Sequence, residues 1–150
     1  MKFFLDECVS PRIVSTLAGI YKDHTFVSST ELELVSTKDT DLFPILAEQA
    51  FDAIITEDKN QLTTPKELRG LYDNGIRWMG YKGVHGVGGL PWIAMLTGTL
   101  VSGLVLALEN WGDESRGFKF HHGGRQSRQH FTVFEVDTTH WRARPVKLAA

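Results

Sequence analysis

The sequence predicts a single α/β domain over residues 1–150, with a mainly parallel central sheet flanked by helices. Short apolar runs alternate with segments of helical periodicity, and 42% of the 150 residues are hydrophobic. A domain of this length buries roughly 68–70% of its unfolded surface, so it folds without disulfides. The one cysteine, Cys8, cannot form an intramolecular bridge, and we interpret it as a buried, small apolar residue. A cytoplasmic location is therefore expected.

Strands and helices alternate along the first half of the chain. Short apolar runs predict strands at residues 2–6, 25–27, 53–56 and 76–81. Ser10-Pro11 and Thr64-Pro65 are typical helix starts, since serine and threonine cap helices and proline is tolerated at the first helical position. The helices they begin end near Ala18 and at Gly75. Apolar residues three and four apart predict one more helix at residues 40–50.

The second half departs from this alternation. Residues 82–90 contain four glycines and predict a flexible loop, and the nineteen residues 90–108 carry no charge. Their small residues favour a core or homodimer-interface helix over a membrane span. Residues 112–129 are polar and basic and predict a surface loop, in which His121 and His122 are expected to be solvated. Residues 130–136 and 140–146 predict two further strands.

Carboxylates follow the ends of two predicted parallel strands. Asp6 ends the first strand, and Asp58 follows the strand at residues 53–56. Asp39 and Asp41 begin the helix that precedes this second strand. Because the carboxyl ends of parallel strands meet at one edge of a sheet, these acids are expected to lie close together. Clustered carboxylates repel one another, and oxygen ligands suit Mg²⁺ or Mn²⁺, so the pattern points to metal-dependent phosphodiester hydrolysis.

Each acid also has a purely structural interpretation. Asp39 or Asp41 alone would be read as a helix cap, and Asp58 as a turn residue whose turn Asn60 extends. The charge distribution is similarly open to two interpretations, because the first 75 residues carry a net charge of −6 and the last 75 carry +4. This asymmetry is consistent with a cation site beside a polyanion track, or with chance solvation of the surface.

Several motifs in the first 81 residues resemble PIN-like domains, specifically a compact subgroup related to VapC-type toxins. The resemblance rests on Lys2-Phe3-Phe4-Leu5-Asp6-Glu7 with Ser10-Pro11-Arg12, on Asp39-Thr40-Asp41-Leu42, on Ile54-Ile55-Thr56-Glu57-Asp58-Lys59, and on Pro65-Lys66-Glu67. Residues 141–146 resemble the terminal strand of some relatives. Residues 82–130 match no known pattern, and we interpret them as a helical and basic-loop insertion.

The resemblance implies a metal-dependent endoribonuclease, the toxin of a toxin–antitoxin pair, with RNA as substrate and an antitoxin protein as partner. It assigns Mg²⁺ or Mn²⁺ to Asp6, Asp39 and Asp58, with Asp41 as an alternative to Asp39. Many PIN domains carry a fourth acid shortly after the third, where this chain has Asn60, and Glu67 is a candidate substitute. The basic residues expected to contact the RNA backbone are Arg12, Lys59, Arg142 and Arg144.

Two other functional classes fit parts of the pattern. A phosphoryl-accepting receiver domain would use the acidic pair Asp6-Glu7, a phosphoacceptor aspartate at Asp58 and a lysine further along the chain at Lys82. Against it, Asp58 lacks the Met-Pro turn usual in receivers. A non-catalytic PIN-like module that binds RNA or protein is the third class, and Asn60 in place of a fourth acid motivates it.

Overall fold

The computed structural model of the chain describes residues 1–122 and 131–146. The strands within these residues are β1 (Lys2–Leu5), β2 (Thr25–Ser28), β3 (Ala53–Thr56), β4 (Arg77–Tyr81), β5 (Arg116–Phe120), β6 (Phe131–Asp137) and β7 (Arg142–Val146). The helices are α1 (Ile13–Ile20), α2 (Asp39–Glu48), α3 (Asn60–Thr63), α4 (Pro65–Asp73) and α5 (Gly89–Glu109). The strands form one sheet in the order β2-β1-β3-β4-β5-β6-β7.

The first five strands of the sheet are parallel, and β6 and β7 are antiparallel additions at one side. Leu5 pairs with Ile55, Thr56 with Gly80, and Gly80 with Lys119. The carboxyl ends of β1, β3, β4 and β5 therefore lie level with one another. This places the residues that follow these strands along one edge, which we call the carboxyl edge. The predicted α/β fold with a mainly parallel sheet flanked by helices is confirmed.

Apolar side chains alternate along the strands to form a core on each face of the sheet. Phe3 and Leu5 point to one face, where α1 and α5 cover them, whereas Phe4 points to the other. On that second face, Phe4 and Ile54 pack with Phe43 of α2. Both faces are therefore covered around β1 and β3, as a parallel sheet requires, and only their ends reach solvent.

Two predicted helix boundaries are wrong. Ser10 and Pro11 form a turn whose carbonyls accept the N–H groups of Ile13 and Val14, so α1 begins at Ile13 rather than at Ser10. The helix also continues through Gly19 to Ile20, and the N–H of Tyr21 still donates to the carbonyl oxygen of Leu17 at 2.8 Å. The short helix α3 was not predicted, since its polar sequence favoured a turn.

The segment predicted as an insertion is part of the same sheet. Residues 82–88 form a loop, α5 crosses over the sheet, and β5 pairs in parallel with β4. The prediction of a loop throughout residues 112–129 is therefore wrong at Arg116–Phe120, where Phe118 and Phe120 are fully buried. The rest of that loop from residue 123, and His130, lie outside the described residues. The two predicted terminal strands correspond to β6 and β7.

His122 is not the solvated loop residue that the sequence suggested. Its Nε2 donates to the carbonyl oxygen of Lys82 at 2.6 Å, and its Nδ1 lies 2.8 Å from Oγ1 of Thr99. The ring packs against Tyr81 and Trp92. His122 therefore connects the end of β5 to the end of β4 and to α5.

One helix in the described residues, α5, is long and apolar enough to cross a membrane by length and composition, and 33% of its apolar window is buried in the structure. Its inner face packs Leu96, Leu100 and Leu104 onto the sheet. Gly103 lies against the ring of Phe120, so closely that a Cβ there would stand 2.7 Å from a ring carbon. The inner face of α5 therefore packs in the core, whereas Leu90 and Val105 on the same helix are exposed.

We predict opposite effects for alanine at the two glycines of α5. Gly103→Ala should destabilise the fold by about 1–3 kcal/mol, because its methyl group would overlap the Phe120 ring. Gly98→Ala is the matched control, since no described atom lies within 4 Å of its Cβ position, and it should stabilise the helix by about 0.5–1 kcal/mol. Urea denaturation measures both. Equal effects at the two positions would contradict the packing of α5 on β5.

Candidate active site

A buried hydroxyl connects the ends of β1 and β3. Thr56 is fully buried, and its Oγ1 donates to Oδ2 of Asp6 at 2.7 Å while accepting the backbone N–H of Asp58 at 3.0 Å. The second oxygen of Asp6, Oδ1, accepts the N–H of Glu7 at 2.8 Å. Because of these contacts, the Asp6 carboxylate is fixed in orientation and the chain turns sharply after Thr56.

Asp58 begins the segment that leads from β3 into α3. Its Oδ1 accepts the N–H of Asn60 at 2.7 Å, and its carbonyl oxygen lies 3.4 Å from the indole Nε1 of Trp78. Asp58 is therefore a turn residue, as its structural interpretation predicted. The carboxylate is still half-exposed and keeps accepting capacity beyond this one bond.

Asp39 and Glu67 reach the same edge from the first turns of α2 and α4. The Oδ1 of Asp39 accepts a hydrogen bond of 3.0 Å from Nε2 of the buried Gln61. Partial burial, with the negative charges of Asp6, Glu67 and Asp58, raises the pKa of Asp39 to about 6. The four acids therefore act on one another electrostatically, although they come from four different segments of the chain.

Two oxygen atoms beside Asp39 are buried and have no hydrogen-bond partner among the residues that the structure describes. They are Oε1 of Gln61 and Oε2 of Glu67. A buried oxygen without a donor costs about 1–3 kcal/mol, and such atoms call for an explanation in a folded protein. A cation bound among these residues would satisfy them.

Cys8 lies beside Asp6 and is exposed, so its prediction as a buried apolar residue is wrong. Its Sγ accepts the N–H of Glu57 at 3.2 Å and lies 3.4 Å from the Thr56 hydroxyl oxygen. Desolvation raises the pKa of both the Cys8 thiol and the Asp6 carboxyl. Burial and nearby negative charge also raise the pKa of Tyr81, whose buried hydroxyl has no hydrogen-bond partner within residues 1–122 and 131–146. The thiol thus stays protonated and is not set up as a nucleophile.

The donor set fits a hard divalent cation. Carboxylate and amide oxygens are the ligands preferred by Mg²⁺ and Mn²⁺, and positive charge would relieve the repulsion that raises the pKa of Asp39. Within residues 1–122 and 131–146, however, no three His, Cys, Asp or Glu side chains lie close enough together to hold one ion. Side-chain rotation is therefore required before three of these acids can share a cation.

The remaining predicted site residues divide between the two edges of the sheet. Lys59 and the exposed Arg12 are on the side of the carboxyl edge, since they follow β3 and β1. Asp41 is exposed on α2, one residue beyond the half-buried Thr40, whereas Asp39 is half-buried. The structure thus groups Asp39, rather than Asp41, with Asp6 and Asp58.

Arg142 and Arg144 are not brought to the carboxyl edge. Both contact Oδ2 of Asp137, Arg142 through Nε at 3.2 Å and Arg144 through Nη2 at 2.6 Å. Asp137 ends the antiparallel strand β6, so it lies at the opposite edge from Asp6. Burial alone would raise the pKa of Asp137, but hydrogen bonds from His140, Arg144 and Arg142 outweigh it and hold that pKa well below its ordinary range. These arginines compensate a buried charge.

Comparison with known proteins agrees with this geometry. A model of the PIN-like domain family matches residues 1–82 of the chain, which is more than half of its length. The chain belongs to the PIN-like domain family. No match was found among curated proteins, and none among solved structures.

The matched part of the PIN-like domain contains β1 to β4 and the four grouped acids. PIN domains are generally nucleases, and those nucleases usually use divalent metals. The rest of the sheet, with α5 and β5 to β7, lies beyond the match. Sequence analysis missed Thr56 and Gln61, whose importance depends on contacts between distant segments.

We predict that the Thr56 hydroxyl, rather than its size, maintains the carboxyl edge. Thr56→Val should lower the free energy of unfolding by about 2 kcal/mol, because it removes the donor to Asp6 and the acceptor for Asp58 N–H. Thr56→Ser, which keeps the hydroxyl, should cost about 0.8 kcal/mol for the lost methyl group. Thermal unfolding of both variants tests this. A valine variant as stable as the serine variant would contradict it.

Asp39 gives a second prediction, which concerns pH. The folded-state pKa of about 6 lies above the ordinary 3.8, so the folded protein holds the proton more tightly than the unfolded chain. Stability should therefore fall as pH rises from 4 to 6 and stay reduced above pH 6. The shift corresponds to at most about 3 kcal/mol, and solvent screening of this half-exposed group reduces it to about 1 kcal/mol.

Asp39→Asn should thus be about 1 kcal/mol more stable than the wild type at pH 8, without metal, and equally stable below pH 4. Asp41→Asn is the control: it removes an exposed acid near the start of α2 and should lose a few tenths of a kcal/mol at pH 8, through the helix dipole. Denaturant titrations in EDTA across this pH range measure both variants. A pH-independent effect of Asp39→Asn would show that the residue is not electrostatically coupled to the other acids.

Proposed function

We propose that this PIN-like domain is a metal-dependent endoribonuclease that hydrolyses RNA phosphodiester bonds at the carboxyl edge. The observation that carries the proposal is that Asp6, Asp39, Asp58 and Glu67 lie along one edge of the sheet, where partial burial and the charges of the other three acids raise the pKa of Asp39 to about 6. Uncompensated acids destabilise a fold, and groups with perturbed pKa values concentrate at functional sites. Glu67 fills the role of the fourth acid that is missing at Asn60.

The chain's own residues have distinct roles in this proposal. Asp6, Asp39 and Asp58 hold Mg²⁺ or Mn²⁺, and Glu67 completes the negative site. When bound, the metal supplies charge stabilisation at the scissile phosphate and lowers the pKa of a water molecule. Thr56 orients the Asp6 carboxylate, and Gln61 orients that of Asp39 through the bond from Nε2. Both are positioning residues.

The biological setting is part of the proposal. The resemblance of the sequence to VapC-type toxins supports a role as the toxin of a toxin–antitoxin pair, with an antitoxin protein as partner. A cytoplasmic location and a homodimer remain predictions, which fractionation of expressing cells and sedimentation of the pure protein test. Family membership favours this nuclease over the receiver domain, since the matched region includes all four acids. The non-catalytic module stays a second candidate, because no three described acids converge on one ion.

Cleavage of a single-stranded RNA in Mn²⁺ or Mg²⁺ tests the proposal. Wild-type protein should cleave it, and EDTA should abolish cleavage. Asp6→Asn and Asp39→Asn should each reduce the rate by roughly 100-fold or more, as expected for loss of a metal ligand. Asp41→Asn should keep most of the activity, because that side chain is exposed and is not among the charges that raise the pKa of Asp39.

Each variant should first be shown to unfold cooperatively, so that lost activity is not lost structure. Equal cleavage by wild type and Asp6→Asn would contradict the proposed site. Tight RNA binding with no cleavage in either metal would favour the non-catalytic module. An inactive Asp41→Asn with a normal Asp39→Asn would exchange the roles of these two acids.

A further inference from the structure

A cleft opens directly beside Asp58, on the side of the carboxyl edge away from β1. Its volume is about 510 Å³, within the roughly 300–1,000 Å³ typical of ligand sites. Its charged lining consists of three lysines, Lys59, Lys82 and Lys119, and two acids, Glu57 and Asp58. We call it the lysine cleft. It connects the acids that would hold the metal to a positively charged surface.

The three lysines are exposed, and none of their ammonium groups forms an ion pair or hydrogen bond within the residues that the structure describes. The described arginines of the sheet differ in this respect. Arg142 and Arg144 contact Asp137, and Arg77 donates to backbone carbonyls of the α5–β5 segment. The lysines of the cleft are therefore available to a ligand, whereas the two arginines of β7 are already paired with Asp137.

The sheet fixes where two of these lysines stand. Lys119 is level with Gly80 of β4, and Gly80 is level with Thr56 of β3. Lys119 therefore lies two strand spacings, about 9–10 Å, from the strand that ends beside Asp58. Lys82 directly follows β4, and the bond from His122 to its carbonyl oxygen holds its backbone in place.

Apolar surface forms the floor between the acids and Lys119. The indole of Trp78 covers Gly80 so closely that a Cβ there would meet the ring at 2.1 Å. Its Nε1 also faces the Asp58 carbonyl oxygen at 3.4 Å. Trp78 is only 3% exposed, so its indole makes the base of the cleft rigid, and the exposed lysines at the rim are placed to contact a chain of separated negative charges.

We propose that the lysine cleft binds the phosphodiester backbone of single-stranded RNA, which runs from the acids at Asp58 across β4 to β5. Lys82 and Lys119 contact phosphates on one side of the scissile bond, and Lys59 contacts the backbone nearest Asp58. The cleft accepts part of a single strand, whereas a duplex would only lie across its mouth. This inference rests on the proposed function for the class of ligand.

The proposal gives β5 a role in substrate binding. Residues 1–82 match the family, and Lys119 lies outside them. The part of the chain beyond the match therefore contributes a phosphate contact as well as three strands of the sheet. RNA affinity then depends on Lys119, which lies outside the region matched by the family.

Binding of a fluorescent single-stranded RNA in EDTA tests this without cleavage. Lys82→Glu and Lys119→Glu should each weaken binding at least 10-fold at low salt. Each should also flatten the dependence of log affinity on log salt by about 0.7, the value for one phosphate contact on a single strand. Lys22→Glu is the matched control: it makes the same charge change in the exposed α1–β2 turn, outside the cleft, and should change affinity less than 2-fold.

Lys119→Gln, which removes the charge without reversing it, is used if Lys119→Glu unfolds. Equal weakening by Lys22→Glu and Lys119→Glu would overturn the proposal, since only net charge would then matter. Unchanged salt dependence in the Lys82 and Lys119 variants would also overturn it, as would tighter binding of duplex than of single-stranded RNA. If these lysines control RNA binding but the wild type never cleaves RNA, the proposed RNA-binding role of the lysine cleft is supported and the proposed nuclease activity is wrong. If the wild type cleaves RNA and both variants bind and cleave normally, the cleft alone fails.

Discussion

The hydroxyl of Thr56 is the contact on which the arrangement of the carboxyl edge depends. It is buried at the end of β3, donates to the Asp6 carboxylate after β1 and accepts the Asp58 N–H. The parallel register of β1 and β3 makes this possible, because Leu5 pairs with Ile55 and so brings Asp6 level with Thr56. One side chain thereby sets both the direction of a carboxylate and the path of the chain that carries the next one.

The acids at this edge are a cost to the fold that a bound cation would relieve. Partial burial and repulsion raise the pKa of Asp39 to about 6, and Glu67 Oε2 is buried with no partner in the described part of the chain. Asp137 differs, because that buried acid has Arg142, Arg144 and His140 as partners. The fold compensates the structural acid within its own hairpin and leaves the four acids of the carboxyl edge uncompensated. Conflicts of this kind are expected at functional sites.

Much of this could be predicted from the sequence, because the relevant signals are local. Apolar runs located β1, β3 and β4, and the rule for parallel strands then placed Asp6 and Asp58 at one edge. The strand β5 was missed since its five residues, with Phe118 and Phe120 alternating around Lys119, lie within a polar, glycine-containing stretch. Because β5 was not predicted, the position of Lys119 relative to the acids could not be predicted either.

The other errors share a cause, which is that a residue's partner is distant or lies across a turn. Two arginines on one strand suggested contacts with RNA phosphates, but pairing of β6 with β7 places both Arg142 and Arg144 in contact with Asp137. Gln61 could not be connected to Asp39 because the contact spans 22 residues and depends on α3, which the sequence did not indicate. Periodicity predicts which elements form, whereas pairing between them is decided by tertiary packing.

We propose that Asp6, Asp39, Asp58 and Glu67 form one cation site. Electron paramagnetic resonance measures it most directly, since free Mn²⁺ gives a sharp signal that decreases when the ion binds to protein. The account predicts saturable binding of one Mn²⁺ per chain, competition by Mg²⁺, and loss of this binding in the Asp6→Asn/Asp58→Asn double variant while Lys22→Glu binds normally. Undiminished binding by the double variant, or no binding by the wild type at millimolar Mn²⁺, would contradict it.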